Sequence, residues 1–280
     1  MDYYIFLYFF FLYKLIKHFF FYKKFKHKCV LITGGAGSLG IELAKRFLKN
    51  KKTTVILVDI STERLEIAKK NLPGVRVERC DITNYEECTK LINKLLTDYK
   101  VDTLINNAGI VSKKPFLQLT NKDIETTFKV NAIAPIYLTK LLLPRMIKEQ
   151  RGHIVNISSV AGLVGANKLT DYCASKFALV GFHAALRTEL FKYNNIHTTC
   201  ICPYFFHSEL FKVTKGYPWP LNKFVYVYSV NEIATLVYND IKSVKEMSIY
   251  PKIFGWLLRV RYIFPNFIQD RFITLGSTVG

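Results

Sequence analysis

The chain reads as an α/β protein built on a doubly wound parallel sheet of about seven strands, with helices on both faces. Three observations predict this architecture. From residue 28 onward, short apolar runs with β character alternate in strict turn with longer amphipathic segments of helical period. A glycine-rich turn stands between the first run and the first helix. The length of 280 residues suits one large α/β domain with a well-buried core.

Taken in order, Cys29–Thr33 is the first strand, and Leu39 to Leu48 is the amphipathic helix after the glycine turn. Val55–Val58 is a buried second strand, with Ser61 placed to cap the helix behind it. Val75–Cys80 is the third strand, and Thr83 or Asn84 starts a helix that ends near Tyr99. Asp102–Asn106 is the fourth strand, followed by two helical stretches, Asn121–Ala132 and Pro135–Lys148. His153–Ser158 is the fifth strand, Thr170–Tyr193 a long helix and His197–Cys202 the sixth strand. Residues 229–243 form the last helix and Met247–Tyr250 the last strand. No internal repeat is evident.

Half the residues are hydrophobic, which excludes disorder. The six cysteines form no Cys-x-x-Cys pair and no zinc-like spacing, so they read as reduced thiols and no metal site is expected. Cys200 and Cys202 alternate on a strand and share one face, as packing residues do.

The formal charge is +19, yet the basic residues are scattered and no helix-turn-helix, zinc-finger or RNA-binding signature appears, so nucleic acid is not expected as a partner. The clusters at Lys23–Lys28 and Arg259–Arg261 adjoin very apolar segments, a pattern suited to an anionic membrane surface. Simple enrichment of lysine on solvated faces is the alternative. Residues 3–22 are apolar and aromatic with Lys14, Lys17 and His18 interspersed. Basic residues follow the segment, whereas a cleaved signal peptide places them first. The segment is expected to be an anchor, either spanning or lying in the interface, with the following domain on the cytoplasmic side. The chain therefore divides into an anchor with basic flank at 1–28, a globular domain at 29–252 and an apolar, basic tail at 253–280.

Thr33-Gly34-Gly35-Ala36-Gly37-Ser38-Leu39-Gly40 stands where a dinucleotide-binding turn belongs. Glycines let the backbone turn sharply and approach a pyrophosphate, whose charge then rests on the helix N-terminus. Asp59 closes the second strand, where a carboxylate accepts hydrogen bonds from the adenosine ribose hydroxyls and repels a 2′-phosphate. That placement favours NAD over NADP. Asp59 as a turn or capping residue is the plainer alternative.

Asn106-Asn107-Ala108-Gly109 after the fourth strand and Tyr172-Cys173-Ala174-Ser175-Lys176 after the fifth resemble the defining motifs of the short-chain dehydrogenase/reductase family. With the glycine turn they span nearly all of 29–250. The resemblance implies a Rossmann-type fold and a nicotinamide cofactor. The family's usual turn is Thr-Gly-x-x-x-Gly-x-Gly; here position 38 is Ser and the middle glycine is Gly37, closer to the spacing of the family's extended subgroup. The resemblance further implies that Thr33, Gly34, Ser38, Leu39 and Gly40 line the pyrophosphate and ribose. Asp81 and Ile82 would flank the adenine, and Asn107, Ala108 and Gly109 would pack along the cofactor. Pro203 and Ser208 would lie over the nicotinamide.

Tyr172 and Lys176 are four residues apart on a helix and share one face, a spacing that suits an acid/base tyrosine beside an ammonium. By the same resemblance Ser159 holds the substrate oxygen, Tyr172 exchanges the proton, Lys176 lowers the tyrosine pKa and binds the nicotinamide ribose, and Asn131 joins a proton relay. Ser158 is expected to point away.

The Pro203-Tyr204 pair, the run Tyr172–Ala178 and the N-terminal anchor resemble the membrane-associated branch containing retinol and 17-beta-hydroxysteroid dehydrogenases. That implies a lipophilic alcohol or carbonyl substrate (retinoid, steroid or long-chain lipid) and a site at the endoplasmic reticulum or a lipid droplet. Phe205–Tyr228 would be an apolar lid or a helix pair packed on the sheet. Ile253–Phe267 would be a second membrane contact or a capping tail. A homodimer is a family expectation. Two rivals remain open: an epimerase or dehydratase on the same fold, and a non-catalytic scaffold.

Overall fold

The computed structural model describes residues 25–211 and 227–253, and the single residues Tyr8, Leu12, Gly255 and Leu258. Most of the expected anchor, the stretch of the lid containing Trp219, and nearly all of the tail lie outside the described residues.

Seven strands form one parallel sheet in the order β3-β2-β1-β4-β5-β6-β7. They are β1 (Cys29–Thr33), β2 (Thr54–Asp59), β3 (Arg76–Arg79), β4 (Thr103–Asn106), β5 (Gly152–Ile157), β6 (Ile196–Pro203) and β7 (Met247–Tyr250). The chain starts at the centre, winds outward to β3, then returns to lay down β4 beside β1 and winds the other way. That reversal leaves a crevice at the carboxyl ends of β1 and β4, where ligands of such sheets sit.

The helices are α1 (Ser38–Leu48), α2 (Thr62–Asn71), α3 (Tyr85–Asp98), α4 (Asn121–Phe128), α5 (Ala134–Lys148), α6 (Thr170–Glu189) and α7 (Val230–Lys242). Because side chains alternate across a strand, each apolar run feeds two cores. Val30 and Ile32 join Leu43, Phe47, Val237 and Ile241 under α1 and α7. Leu31, between them, joins Ile92, Leu95, Leu138, Leu142 and Leu186 under α3, α5 and α6. A strand buried on both faces has to be apolar throughout, which is why the sequence shows runs and not alternation.

Two elements differ from the sequence reading. β3 is shorter than Val75–Cys80: the Val75 N–H turns back to the Leu72 carbonyl, which leaves Arg76–Arg79 as an edge strand. The two helical stretches at 121–148 are one continuous element, joined by a π-turn over Lys129–Ile133. Ser61 caps α2 as expected, its Oγ accepting the Arg64 N–H at 3.3 Å.

The end of the sheet opposite the crevice is closed by a histidine layer. The His27 and His153 rings stack at 5.6 Å, and Phe25 packs edge-on against His153 and His197. Buried Asp102 accepts the Lys28 N–H at 3.0 Å and Arg151 Nε at 2.9 Å. The Phe25 N–H donates to Lys242 O at 3.3 Å, and Thr53 Oγ1 donates to His27 O at 2.9 Å. Residues 25–28, read from sequence as part of the anchor's flank, are thus packed onto the domain. Their lysines hid Phe25 and His27, which do the packing.

Candidate active site

The turn after β1 is shaped by close backbone approach. Gly34 has φ +58°, and a Cβ there would meet Ala108 Cα at 2.8 Å. A Cβ on Gly40 would stand 2.6 Å from the Gly34 carbonyl oxygen. Thr33 is buried, and its Oγ1 accepts the N–H groups of Asn107 at 3.1 Å and Ala108 at 3.2 Å. Asn107 Nδ2 in turn donates to the carbonyls of Thr33 at 3.0 Å and Gly34 at 3.1 Å. Thr33 and Gly40 therefore stand behind the turn and brace it, while Gly34, Ser38 and Leu39 face the crevice. Gly37 precedes α1 with an ordinary φ of −78°, so the shifted middle glycine meets no conformational demand there. No side chain caps α1, and its first turn has no acidic residue, so its N–H groups are offered to an anion.

The crevice holds about 660 Å³, within the range of small-molecule sites. Asp59, Asp81 and Ile82 line one end, and Asn107, Ala108 and Gly109 its floor. Ser159, Tyr172, Lys176, Pro203 and Ser208 line the other. An uncapped helix, a glycine cradle and a carboxylate at the far end fit a dinucleotide. The turn-residue reading of Asp59 holds, and its place in the crevice leaves it open to a ribose. It faces the crevice, and its carboxylate accepts the N–H groups of Ala36 and Ser61, each at 3.2 Å. Two oxygens with two lone pairs each retain capacity for a ribose.

Tyr172 and Lys176 lie in the first two turns of α6, both buried. Lys176 Nζ donates to the Ile157 carbonyl at 2.9 Å and lies 5.7 Å from the centroid of the Tyr172 ring. Burial lowers the Lys176 pKa to about 8. Burial also pushes the Tyr172 phenol above its usual value, an effect that nearby Ser159 opposes. Ser159 Oγ donates to Pro203 O at 3.3 Å and accepts the Ala161 N–H at 3.1 Å. Ser158 turns away, its Oγ donating to the Lys176 carbonyl at 3.2 Å.

Asn131 sits on the π-turn and is fully buried. Its Nδ2 donates to Ile110 O at 2.9 Å and to Ser175 Oγ at 3.0 Å, and its Oδ1 accepts the Ile110 N–H at 2.9 Å. Ser175 Oγ donates to the Tyr172 carbonyl at 2.7 Å, so Asn131 is tied to α6 beneath the tyrosine. It lies behind Gly109, where an added Cβ would meet Asn131 Oδ1 at 3.4 Å and Lys176 Nζ at 3.5 Å. All four expected catalytic residues thus converge.

Sequence reading missed two further contributors, Asp171 and Arg64, and placed a third, Phe211, only within the expected lid. Asp171, buried beside Tyr172, accepts from the hydroxyls of Ser112 and Thr127, each at 2.8 Å. Phe211 packs against the Tyr172 ring at 5.9 Å and Phe205 at 4.7 Å, an apolar wall completed by Leu169 and Val111. Arg64, on α2, lines the crevice and pairs with Glu209 at 2.8 Å. No local motif marks Asp171 or Arg64, because each acquires its role through a contact distant in sequence.

A family model described as short chain dehydrogenase matches residues 28–216. Epidermal retinol dehydrogenase 2 of Homo sapiens is 35% identical over 84% of this chain and 78% of its own. 17-beta-hydroxysteroid dehydrogenase 13 of Homo sapiens is 32% identical over 85% of this chain and 79% of its own. The crystal structure of a short-chain dehydrogenase/reductase from Burkholderia phymatum in complex with NAD superposes with a TM-score of 0.73 at 22% identity, covering 86% of this chain and 94% of that one. The chain belongs to the short-chain dehydrogenase/reductase family. It is an oxidoreductase of the alcohol dehydrogenase and carbonyl reductase class, using NAD or NADP.

Proposed function

We propose that the protein interconverts a lipophilic alcohol and its carbonyl with NAD(H), and that Tyr172, Lys176, Ser159 and Asn131 carry the reaction. The supporting observation is the Tyr172 phenol, lining the crevice with Ser159, one helical turn from Lys176 and walled by Phe205, Phe211, Leu169 and Val111. An apolar wall around one acid/base group suits a retinoid, a steroid or a long-chain lipid, and the names of the two human relatives point the same way. The bound nicotinamide supplies the hydride acceptor or donor.

In the oxidising direction Ser159 donates a hydrogen bond to the substrate oxygen and Tyr172, as phenolate, takes the hydroxyl proton. The Lys176 ammonium favours that phenolate against the burial that opposes it. Asn131 acts as a positioning residue, holding the Ile110 backbone and Ser175, and so links the tyrosine's helix to the wall of the relay. Asp59 disfavours a 2′-phosphate, which supports NAD over NADP.

The apolar, lysine-flanked segment before residue 25 supports attachment to a membrane, at the endoplasmic reticulum or a lipid droplet. Residues 253–280 would serve as a second contact. Among the described residues no helix is long and apolar enough to cross a membrane. Deleting residues 1–24, and not the packed 25–28, should move the protein into the soluble fraction unless the tail also holds it.

The deciding experiment measures oxidation of retinol, estradiol and a long-chain alcohol with NAD in detergent, alongside NADH and NADPH titrations. Tyr172→Phe should lower turnover about 10³-fold and leave NADH affinity nearly unchanged. Retained turnover removes the mechanism, and equal affinity for the two cofactors removes the assignment to Asp59.

A further inference from the structure

Among the described residues lining the crevice there are two cations. Lys176 stands at the catalytic end and Arg64 at the end marked by Asp59 and Asp81. Arg64 lies in the first turn of α2, five positions beyond Asp59, with its backbone N–H held by the Ser61 cap. An arginine so placed is the group that accommodates a 2′-phosphate on the adenosine ribose. Here its guanidinium faces a carboxylate instead, Nη1 standing 2.8 Å from Glu209 Oε2. Glu209 belongs to the strap that follows β6, and Ser208 Oγ accepts the N–H of Phe211, which covers Tyr172. One short segment therefore covers the catalytic phenol and brings a negative charge to the adenosine end.

We propose that Glu209 is a cofactor-specificity determinant that acts through Arg64, engaging the one cation that lines the adenosine end of the crevice among the described residues and adding its own charge to that of Asp59. The inference rests on the NAD(H) reading above and names the residue that strengthens it. Both side chains are about half exposed, 55% and 57%, so the pair biases the choice of cofactor and does not lock it.

The test is isothermal titration of the full chain in detergent with adenosine 2′,5′-bisphosphate, AMP, NADH and NADPH. Glu209→Gln should tighten the bisphosphate and NADPH roughly fivefold while AMP and NADH change less than about twofold. The Arg64→Gln/Glu209→Gln double variant should lose that gain. An unchanged NADPH-to-NADH ratio in Glu209→Gln, or a gain that survives loss of Arg64, overturns the role given to Glu209 and leaves the enzyme reading intact. If the unaltered chain binds neither NADH nor NADPH, the dehydrogenase reading falls, and this inference with it.

Discussion

Lys176 Nζ donates to the carbonyl of Ile157 at 2.9 Å, which ties a buried amine on α6 to the last residue of β5. The bond fixes where the charge sits, and burial makes that charge costly.

A pH dependence follows. Unfolded, the lysine keeps its proton up to about 10.5; folded, it releases it near 8. Between those values the unfolded chain binds more protons, so this residue's contribution to stability rises with pH across that window and is lowest below 8. In cofactor-free protein Lys176→Met should raise the urea midpoint at pH 7 and flatten the rise between pH 8 and 10. Equal slopes for the two proteins would refute this.

The histidine layer predicts the acid limb. Burial lowers His27 to about 3 and drives His153 well below its usual value, and it lowers His183, buried on α6, to about 4. The unfolded histidines protonate near 6.5, so as pH falls from there toward 3 the unfolded state takes up protons that the folded state refuses, and stability falls. His153→Leu, which forfeits the bond to Thr199 Oγ1, should lower stability at pH 7 yet shallow the loss between pH 6.5 and 4, read from urea midpoints. An unaltered slope would count against it.

Much of this was legible beforehand. The parallel sheet could be read because a strand buried on both faces must be an apolar run, as Val55–Val58 is, and helix caps such as Ser61 and Asn84 announce themselves locally. The proposed pair Tyr172 and Lys176 was legible from its helical spacing, and Ser159 and Asn131 only through the family resemblance. Asp171 and the Arg64–Glu209 pair were not legible, since their partners lie 44 and 145 positions away. The π-turn was illegible for another reason: its five residues have ordinary helical composition, and only the buried bonds of Asn131 explain the extra residue.

Two glycines offer a contrast. Gly40→Ala would drive a Cβ to 2.6 Å from a carbonyl oxygen, where backbone has to move. It should cost about 1–3 kcal/mol of stability and weaken NADH binding at least about tenfold. Gly181 lies within α6 with nothing inside 4 Å of an added Cβ. Gly181→Ala should stabilise by about 0.5–1 kcal/mol, measured by thermal melting, with NADH affinity unchanged.

Asn131 permits a finer test. Asn131→Ala removes both clasps on Ile110 and the bond to Ser175, leaving buried polar groups unpaired at about 1–3 kcal/mol each. Turnover should fall further than NADH affinity. Asn131→Asp, which keeps the acceptor and loses the donors to Ile110 O and Ser175, should recover little. Full activity in either variant would remove the positioning role.

The single extra residue in the turn at Lys129–Ile133 also constrains how this chain could be shortened. Removing any one of those five would restore an unbroken α-helix from Asn121 to Lys148, and each α-helical residue turns the chain by about 100°. Such a deletion would leave the apolar stripe of α5 (Leu138, Leu142, Met146) facing the sheet, because the π-turn absorbs the extra residue locally, and would instead pull Asn131 from Ile110 and Ser175. A one-residue excision inside this helix would therefore spare the core and undo the clasp that Asn131 makes.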